Sequence, residues 1–387
     1  MLKKISVLML AVAMIISLSA VVVADNLEES LEVDTTKLKS KDGQPLIIRD
    51  DGKKEIPTRP KNPESLPKEN ALHWWDIEYA GWKVDKVNIP ESPEDGAIGK
   101  EVILLKAGDH PYWTSYVRGF KKIADAYDME IKILNSNWNM DLQAQQVQQA
   151  INERPDAIVM APVDAKASTI LFRKINRAGI PVFGSNTLPT NQGMKYIVAW
   201  TGPDDWGQFR LLSRKFADKM NKEGGYAIVR HMPGSSPYFA RTWAPITELK
   251  EYAPEMELLD KDTANLKTEP TMQLVSDWLT KYGDKLDGLI LAGDGPSLIG
   301  VEEALKNAGK EPGDLTIVAA GNSKTGQDAV KEGWLTAITY QSAEADGAYA
   351  LQTAADWFNG KEVQPVVYIP KHIITKKDVE DFYPAQW

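Results

Sequence analysis

From Glu101 onward, short apolar runs alternate with longer stretches whose apolar residues recur every three or four positions. That is the pattern of parallel strands joined by crossover helices. The runs 102–106, 131–134, 157–161, 181–184 and 196–200 predict one sheet, and those at 226–230, 257–259, 288–292, 315–319 and 337–340 predict a second. After the first run, Val117, Phe120, Ile123, Ala124 and Tyr127 share one helical face, while Arg118, Lys121, Lys122 and Asp125 fall mostly on the other. Similar stretches at 142–152, 167–177, 206–221, 272–281, 298–308 and 343–358 continue the alternation. The pattern predicts an α/β chain with two doubly wound parallel-sheet lobes.

Before Glu101 the pattern breaks down. Residues 1–24 open with Lys3 and Lys4, run uncharged from Ile5 to Val23, and offer Val22 and Ala24 ahead of a cleavage point, the layout of a secretory leader. Residues 25–96 are rich in charge and in proline (Pro45, Pro57, Pro60, Pro63, Pro67, Pro90, Pro93), a composition that cannot bury a core of its own and predicts an extended arm. The arm has one aromatic cluster, Trp74, Trp75, Tyr79 and Trp82. Rings at that density need a surface to pack on, and they are expected to pin the arm to the body.

Composition narrows the chemistry. The chain of 387 residues has 45 Lys plus Arg against 54 Asp plus Glu, a net charge of -9, so nucleic acid held through phosphates is not an expected partner. The absence of cysteine removes disulfides, thiolate metal sites, thiol nucleophiles and the lipidated cysteine of a lipoprotein. With the leader removed, the protein is expected in the periplasm or outside the cell. The four histidines, at 73, 110, 231 and 372, form no pair at metal-binding spacing. No glycine-rich dinucleotide loop, P-loop or nucleophile elbow follows any strand. The expectation is no metal, no cofactor and no catalytic group.

In open parallel sheets the ligand crevice lies beyond the carboxyl ends of the strands. That rule selects Lys106, Asp109, His110, Tyr112 and Trp113 after the first run, then Asp164, then Asn186 with its neighbours Ser185 and Thr187. In the second half it selects His231 through Arg241, Asp294, Asn322 and Gln341. Tyr112 and Trp113 offer flat apolar faces to the C–H side of a sugar ring. Arg241, Asn186, Asp294, Asn322 and Gln341 supply the donors and acceptors that neighbouring hydroxyls need once out of water.

These residues sit in segments that resemble the type I periplasmic sugar-binding proteins, the receptors of ABC importers for ribose, galactose or glucose, and inositol. The resemblance covers about residues 99 to 370. It is carried by Lys106-Ala107-Gly108-Asp109-His110-Pro111-Tyr112-Trp113, Asp156-Ala157-Ile158-Val159-Met160-Ala161-Pro162, Ala178-Gly179-Ile180-Pro181-Val182, Leu286-Asp287-Gly288-Leu289-Ile290 leading to Asp294, and Gly326-Gln327-Asp328-Ala329-Val330-Lys331-Glu332-Gly333. It implies that Tyr112 and Trp113 stack on the ligand, that His110 and Asn186 are polar contacts, that Arg241 holds ring or hydroxyl oxygens, and that Gln341 sits at a hinge crossing. Where the family usually has Asp after the strand at 315–319, this chain reads Ala320-Gly321-Asn322, and Asn322 is the candidate replacement. Lys106 stands where a small polar residue is common.

The resemblance also implies discontinuous lobes, 97–201 plus 342–368 and 202–341 plus 369–387, joined by a three-crossing hinge that closes on the ligand. A small carbohydrate ligand and a membrane permease are the implied partners, and the implied state is a monomer. A sensor for chemotaxis or quorum signalling would use the same cleft and stays open. An enzyme would need a paired acid and base that the sequence does not display. A repressor on the same lobes would need a helix-turn-helix and no leader. Lys106 with Arg241 would suit an acidic sugar, Asp294 opposes one, and the sequence leaves this undecided.

Overall fold

The strands form where apolar runs can be covered on both faces. A computed structural model of the chain describes residues 33–48 and 54–387; the leader expected at 1–24 lies outside them. The first lobe holds β1 (Glu101–Lys106), β2 (Glu130–Asn135), β3 (Ala157–Met160), β4 (Val182–Ser185) and β5 (Trp200–Gly202). The second holds β6 (Glu223–Arg230), β7 (Glu255–Thr263), β8 (Leu286–Leu291), β9 (Thr316–Ala319) and β10 (Ala337–Tyr340). Two late strands, β11 (Val366–Tyr368) and β12 (His372–Thr375), then join the first and second sheets respectively. The orders are β11-β5-β4-β3-β1-β2 and β12-β10-β9-β8-β6-β7. Pairing is parallel except for β12, which runs antiparallel to β10. Every residue of β3, β4 and β10 is buried, as strands sandwiched between helices must be.

Nine helices cover the sheets among the described residues: α1 (Pro111–Ala126), α2 (Met140–Glu153), α3 (Ser168–Arg177), α4 (Asp205–Lys219), α5 (Ser236–Tyr252), α6 (Thr268–Tyr282), α7 (Pro296–Asn307), α8 (Lys324–Glu332) and α9 (Ala343–Phe358). α9 follows the second sheet in sequence but packs on α1 in the first lobe. Two glycines make that crossing close. A Cβ on Gly119 would strike the Glu344 carbonyl, and one on Gly347 would strike the Tyr116 carbonyl.

Three departures from the pattern reading have local causes. The fifth run, read at 196–200, forms its strand at Trp200–Gly202, because Trp200 and Thr201 pair with Val366 and Val367 from far along the chain. β11 has only three residues, and β12 is an edge strand with one buried residue, Ile374, so neither registers as an apolar run. α5 is not among the stretches the pattern predicts: it carries Pro237 in its first turn and Pro245 in its interior, and residues 240–249 are all buried, so no exposed face marks its period.

The arm touches both lobes. Trp74 stacks on Trp243 at 4.8 Å and lies near Trp206 and Phe239, all in the second lobe. Six residues on, Ala80 joins a core cluster of the first lobe, and the Gly81 N–H donates to Asn191 Oδ1 at 3.0 Å. Between them the buried Glu78 carboxylate accepts two bonds of 2.6 Å from Arg210. The lobes also meet directly: the Leu188 N–H donates to Ser236 Oγ at 3.0 Å and the Ala165 N–H to the Gly234 carbonyl at 3.3 Å.

Candidate functional site

Between the lobes, side chains from strand ends and helix starts form one hydrogen-bonded chain. On the first lobe, His110 caps α1: its Nδ1 accepts from the Tyr112 N–H at 3.2 Å, with Pro111 at the first helical position. Burial lowers the His110 pKa, which keeps Nδ1 free to accept. The cap sets Tyr112, whose hydroxyl donates to Asp346 Oδ2 at 2.7 Å. Asn186, just past β4 in the left-handed region that Asn tolerates (φ 58°), donates to the same Asp346 oxygen at 2.6 Å and to the Tyr112 oxygen at 3.3 Å.

The second lobe answers across the gap. Gln341 Nε2 donates to the Tyr112 hydroxyl at 3.2 Å, while its Oε1 accepts from Arg241 at 2.9 Å. Arg241, on α5, also donates to Asp205 Oδ1 at 2.8 Å and to the Ala292 carbonyl at 2.7 Å. The chain therefore runs from Asp205 through Arg241, Gln341 and Tyr112 to Asp346 and Asn186, crossing the lobe boundary at a single hydroxyl. Beside it, Asp294 Oδ2 accepts from the Ser323 N–H at 2.9 Å, and Asn322 Oδ1 accepts from Gln327 at 2.7 Å. A side chain at Gly321, whose φ is 135°, would collide with the Asp294 carboxyl. The carboxyl from β8 thus fills the space that glycine leaves after β9.

Among the buried polar atoms of this region without a hydrogen-bond partner are Asp294 Oδ1, Asn322 Nδ2, Asp346 Oδ1 and Trp387 Nε1. Two are acceptors and two are donors. Burial raises the Asp294 pKa to about 7 against its bonds from Ser323 and the nearby Arg241 charge. Burial likewise raises Asp346 to about 7 against its bonds from Tyr112 and Asn186. Burial, then the Arg241 charge, holds the neighbouring His231 neutral with a pKa of about 3. A narrow cleft adjoins the chain and is lined by Asn186, Asp205, Trp206, Ser236 and Tyr368 among others.

Several of the residues selected from sequence stand outside the chain, among them Asp164, which accepts from the Lys166 and Ala167 N–H groups, Ser185, bonded to the Tyr116 hydroxyl, and Lys106 and Trp113. Lys106 Nζ pairs with Asp109 at 2.6 Å, so its charge is answered locally. Trp113 is buried in the first-lobe core against Tyr116, and its ring stands at 82° to that of Tyr112, so one sugar ring cannot lie flat on both. Three residues of the site escaped the strand-end rule. Asp205 opens α4 just after the true end of β5. Asp346 lies one turn inside α9, where an acid among Ala343, Ala345, Gly347 and Ala348 was itself a sign of a buried carboxyl. Trp387 follows no strand; its ring meets those of His110 and Tyr112 edge-on, each at 5.5 Å.

Two Rossmann-like lobes gripping a hydrogen-bonded gap define a cleft-binding protein, and the comparisons agree. A periplasmic binding protein domain profile matches residues 99–362. The chain belongs to that family. It is 28% identical over 264 residues to a xylitol-binding protein of Mycolicibacterium smegmatis, covering 68% of this chain and 73% of that one. A ribose import binding protein of Bacillus subtilis is 23% identical, with 72% and 87% covered. Among solved structures, an ABC transporter solute binding protein from Bacillus halodurans with bound myo-inositol superposes with a TM-score of 0.68 at 25% identity, covering 76% of this chain and 100% of that one.

Proposed function

We propose that the protein captures a neutral polyhydroxylated molecule, a monosaccharide or cyclitol, in the gap between its lobes, outside the cytoplasmic membrane, and delivers it to an ABC importer. The observation that carries this reading is the set of unpartnered buried atoms, Asp294 Oδ1 and Asp346 Oδ1 as acceptors beside Asn322 Nδ2 as donor. A vicinal polyol presents hydroxyls that donate and accept at short spacing, and leaving any of these buried groups unmade costs about 1–3 kcal/mol. The molecules that the relatives are named for or hold, xylitol, ribose and myo-inositol, share that chemistry.

Charge selects against acids. Arg241 is committed to Asp205 and Lys106 to Asp109, while the carboxyls of Asp294 and Asp346 remain. A uronate would add a negative charge beside Asp294 and Asp346, and Arg241 is already paired. Capture is a population shift: a guest bonded from both lobes favours the closed form, which the permease then recognises. The reading is of binding without chemical change, on the same three relatives, all binding proteins by name.

The test is a thermal-shift screen of the exported chain against pentoses, hexoses, pentitols, cyclitols and uronates. A guest at 100 times its Kd adds about 2.7 kcal/mol of stability, several degrees at this size. A neutral polyol should raise Tm and be recovered unaltered after overnight incubation. A turned-over guest, or no shift with any polyol, contradicts the reading.

A further inference from the structure

Trp387 lies beyond the stretch that matches the family, residues 99–362, yet its ring packs on Tyr112, whose hydroxyl is where the two lobes meet. The backbone that carries it is fixed from several sides. The Gln386 carbonyl accepts from Ser115 Oγ and from Arg118, each at 2.7 Å, on α1. The Gln386 side chain accepts from the Glu344 N–H at 3.0 Å on α9 and donates to Asp42 of the arm at 2.9 Å. From the second lobe, the Lys324 N–H donates to the Trp387 carbonyl at 2.8 Å. Residue 387 therefore bridges the lobes, beside the loop that holds Asn322 and Ser323.

The indole is placed as deliberately as its backbone. Its ring meets Tyr112 at 80° and His110 at 64°, so it packs on the two residues that open α1. Its Nε1–H is buried and unpartnered, although a buried indole N–H ordinarily finds an acceptor. Packing against Tyr112 and His110 accounts for the ring but leaves the donor unused. Tyr112, on which the ring packs, is bonded to Asp346, whose Oδ1 is likewise unpartnered.

We propose that Trp387 is a specificity-determining residue of the cleft, whose indole N–H donates to a hydroxyl or ring oxygen of the captured polyol. This rests on the capture reading above. It adds a directional donor to a site otherwise rich in acceptors, and so favours a guest with an acceptor oxygen at that point over its deoxy analogue. A donor left unmade by the wrong guest is the source of the discrimination.

The experiment compares wild type with Trp387→Phe, which keeps an aromatic ring and removes only the donor, by calorimetric titration with myo-inositol, xylitol, D-ribose and monodeoxy analogues of whichever binds. The expected result is a roughly three- to tenfold weaker affinity in W387F, the scale of one neutral hydrogen bond. For the one deoxy analogue that lacks the paired oxygen, wild type and W387F should bind alike. A second readout uses wild type alone: in protein labelled with ¹⁵N-tryptophan, the Trp387 indole resonance, assigned through its own backbone, should move downfield on saturation. Equal affinities in wild type and W387F, or an unmoved resonance while wild type binds, would overturn the role of Trp387 and leave capture standing. No binding of any polyol by wild type would overturn capture itself, and the role of Trp387 with it.

Discussion

Arg241 donates to Asp205, to the Ala292 carbonyl and to Gln341, and these bonds orient the amide that reaches Tyr112 across the gap. Arg241→Ala would leave the buried Asp205 carboxylate without its cation and with Gln208 as its remaining side-chain donor, at a cost of about 3–5 kcal/mol, and guest affinity should fall with the lost Gln341 orientation. Tyr112→Phe is the milder probe: it keeps the ring but removes the donor to Asp346 and the acceptor for Gln341, and denaturant melts should show a loss of about 1–3 kcal/mol. The two raised carboxyls predict a pH dependence with a definite sign. Asp294 and Asp346 titrate near 7 when folded and near 3.8 when unfolded. Between pH 4 and 7 the native chain retains protons that the unfolded chain has released. Their contribution is therefore full below pH 4 and declines as pH rises to 7. Melts of wild type and Asp294→Asn across this window should show a shallower decline in the variant; parallel curves would refute it. A guest hydroxyl donated to Asp294 Oδ1 favours the ionised form, so binding should release protons and tighten with rising pH. Asn186 and Gln341 could be picked from sequence because they directly follow β4 and β10, whereas Arg241, inside a helix eleven residues past β6, was reached only through the broad stretch 231–241 and the family resemblance. Asp205 was not, because β5 ends two residues later than its apolar run.

At the scale of elements, the crossing of α1 and α9 positions the site. Gly119 and Gly347 let the two backbones meet, and this sets Asp346, next to Gly347, against Tyr112. Ala is the better helix former by about 1 kcal/mol, yet Gly347→Ala should destabilise by about 1–3 kcal/mol because its Cβ meets the Tyr116 carbonyl. It should also weaken guest binding by shifting Asp346. A variant as stable as wild type would show that the crossing has slack. α1 was legible from its amphipathic spacing. α5, which carries Arg241, was not: burial on all sides erased its period, and Pro245 removes the amide that would bond the Arg241 carbonyl. Periodicity reports a boundary between core and water, and α5 has none along residues 240–249.

At the scale of the molecule, alternating runs made the two α/β lobes legible, whereas the way the chain's ends close the structure was not. β11 and β12 derive their pairing from strands more than thirty residues away, and the arm's aromatics say only that they need a surface. That surface spans both lobes: Trp74 sits in the second, Ala80 in the first, and Glu78 binds Arg210 between them. Trp74→Ala should cost about 3–5 kcal/mol, comparable to truncating a core tryptophan, if the arm is an integral part of the fold. An unchanged melting temperature would make it an appendage. The account's central claim is that side chains from two lobes grip a neutral polyol. Isothermal titration of the chain with myo-inositol, xylitol, D-ribose and D-glucuronate tests it most directly. One saturable site for a neutral polyol, with glucuronate silent, is the predicted result; preference for glucuronate, or no heat from any of the four, would contradict it.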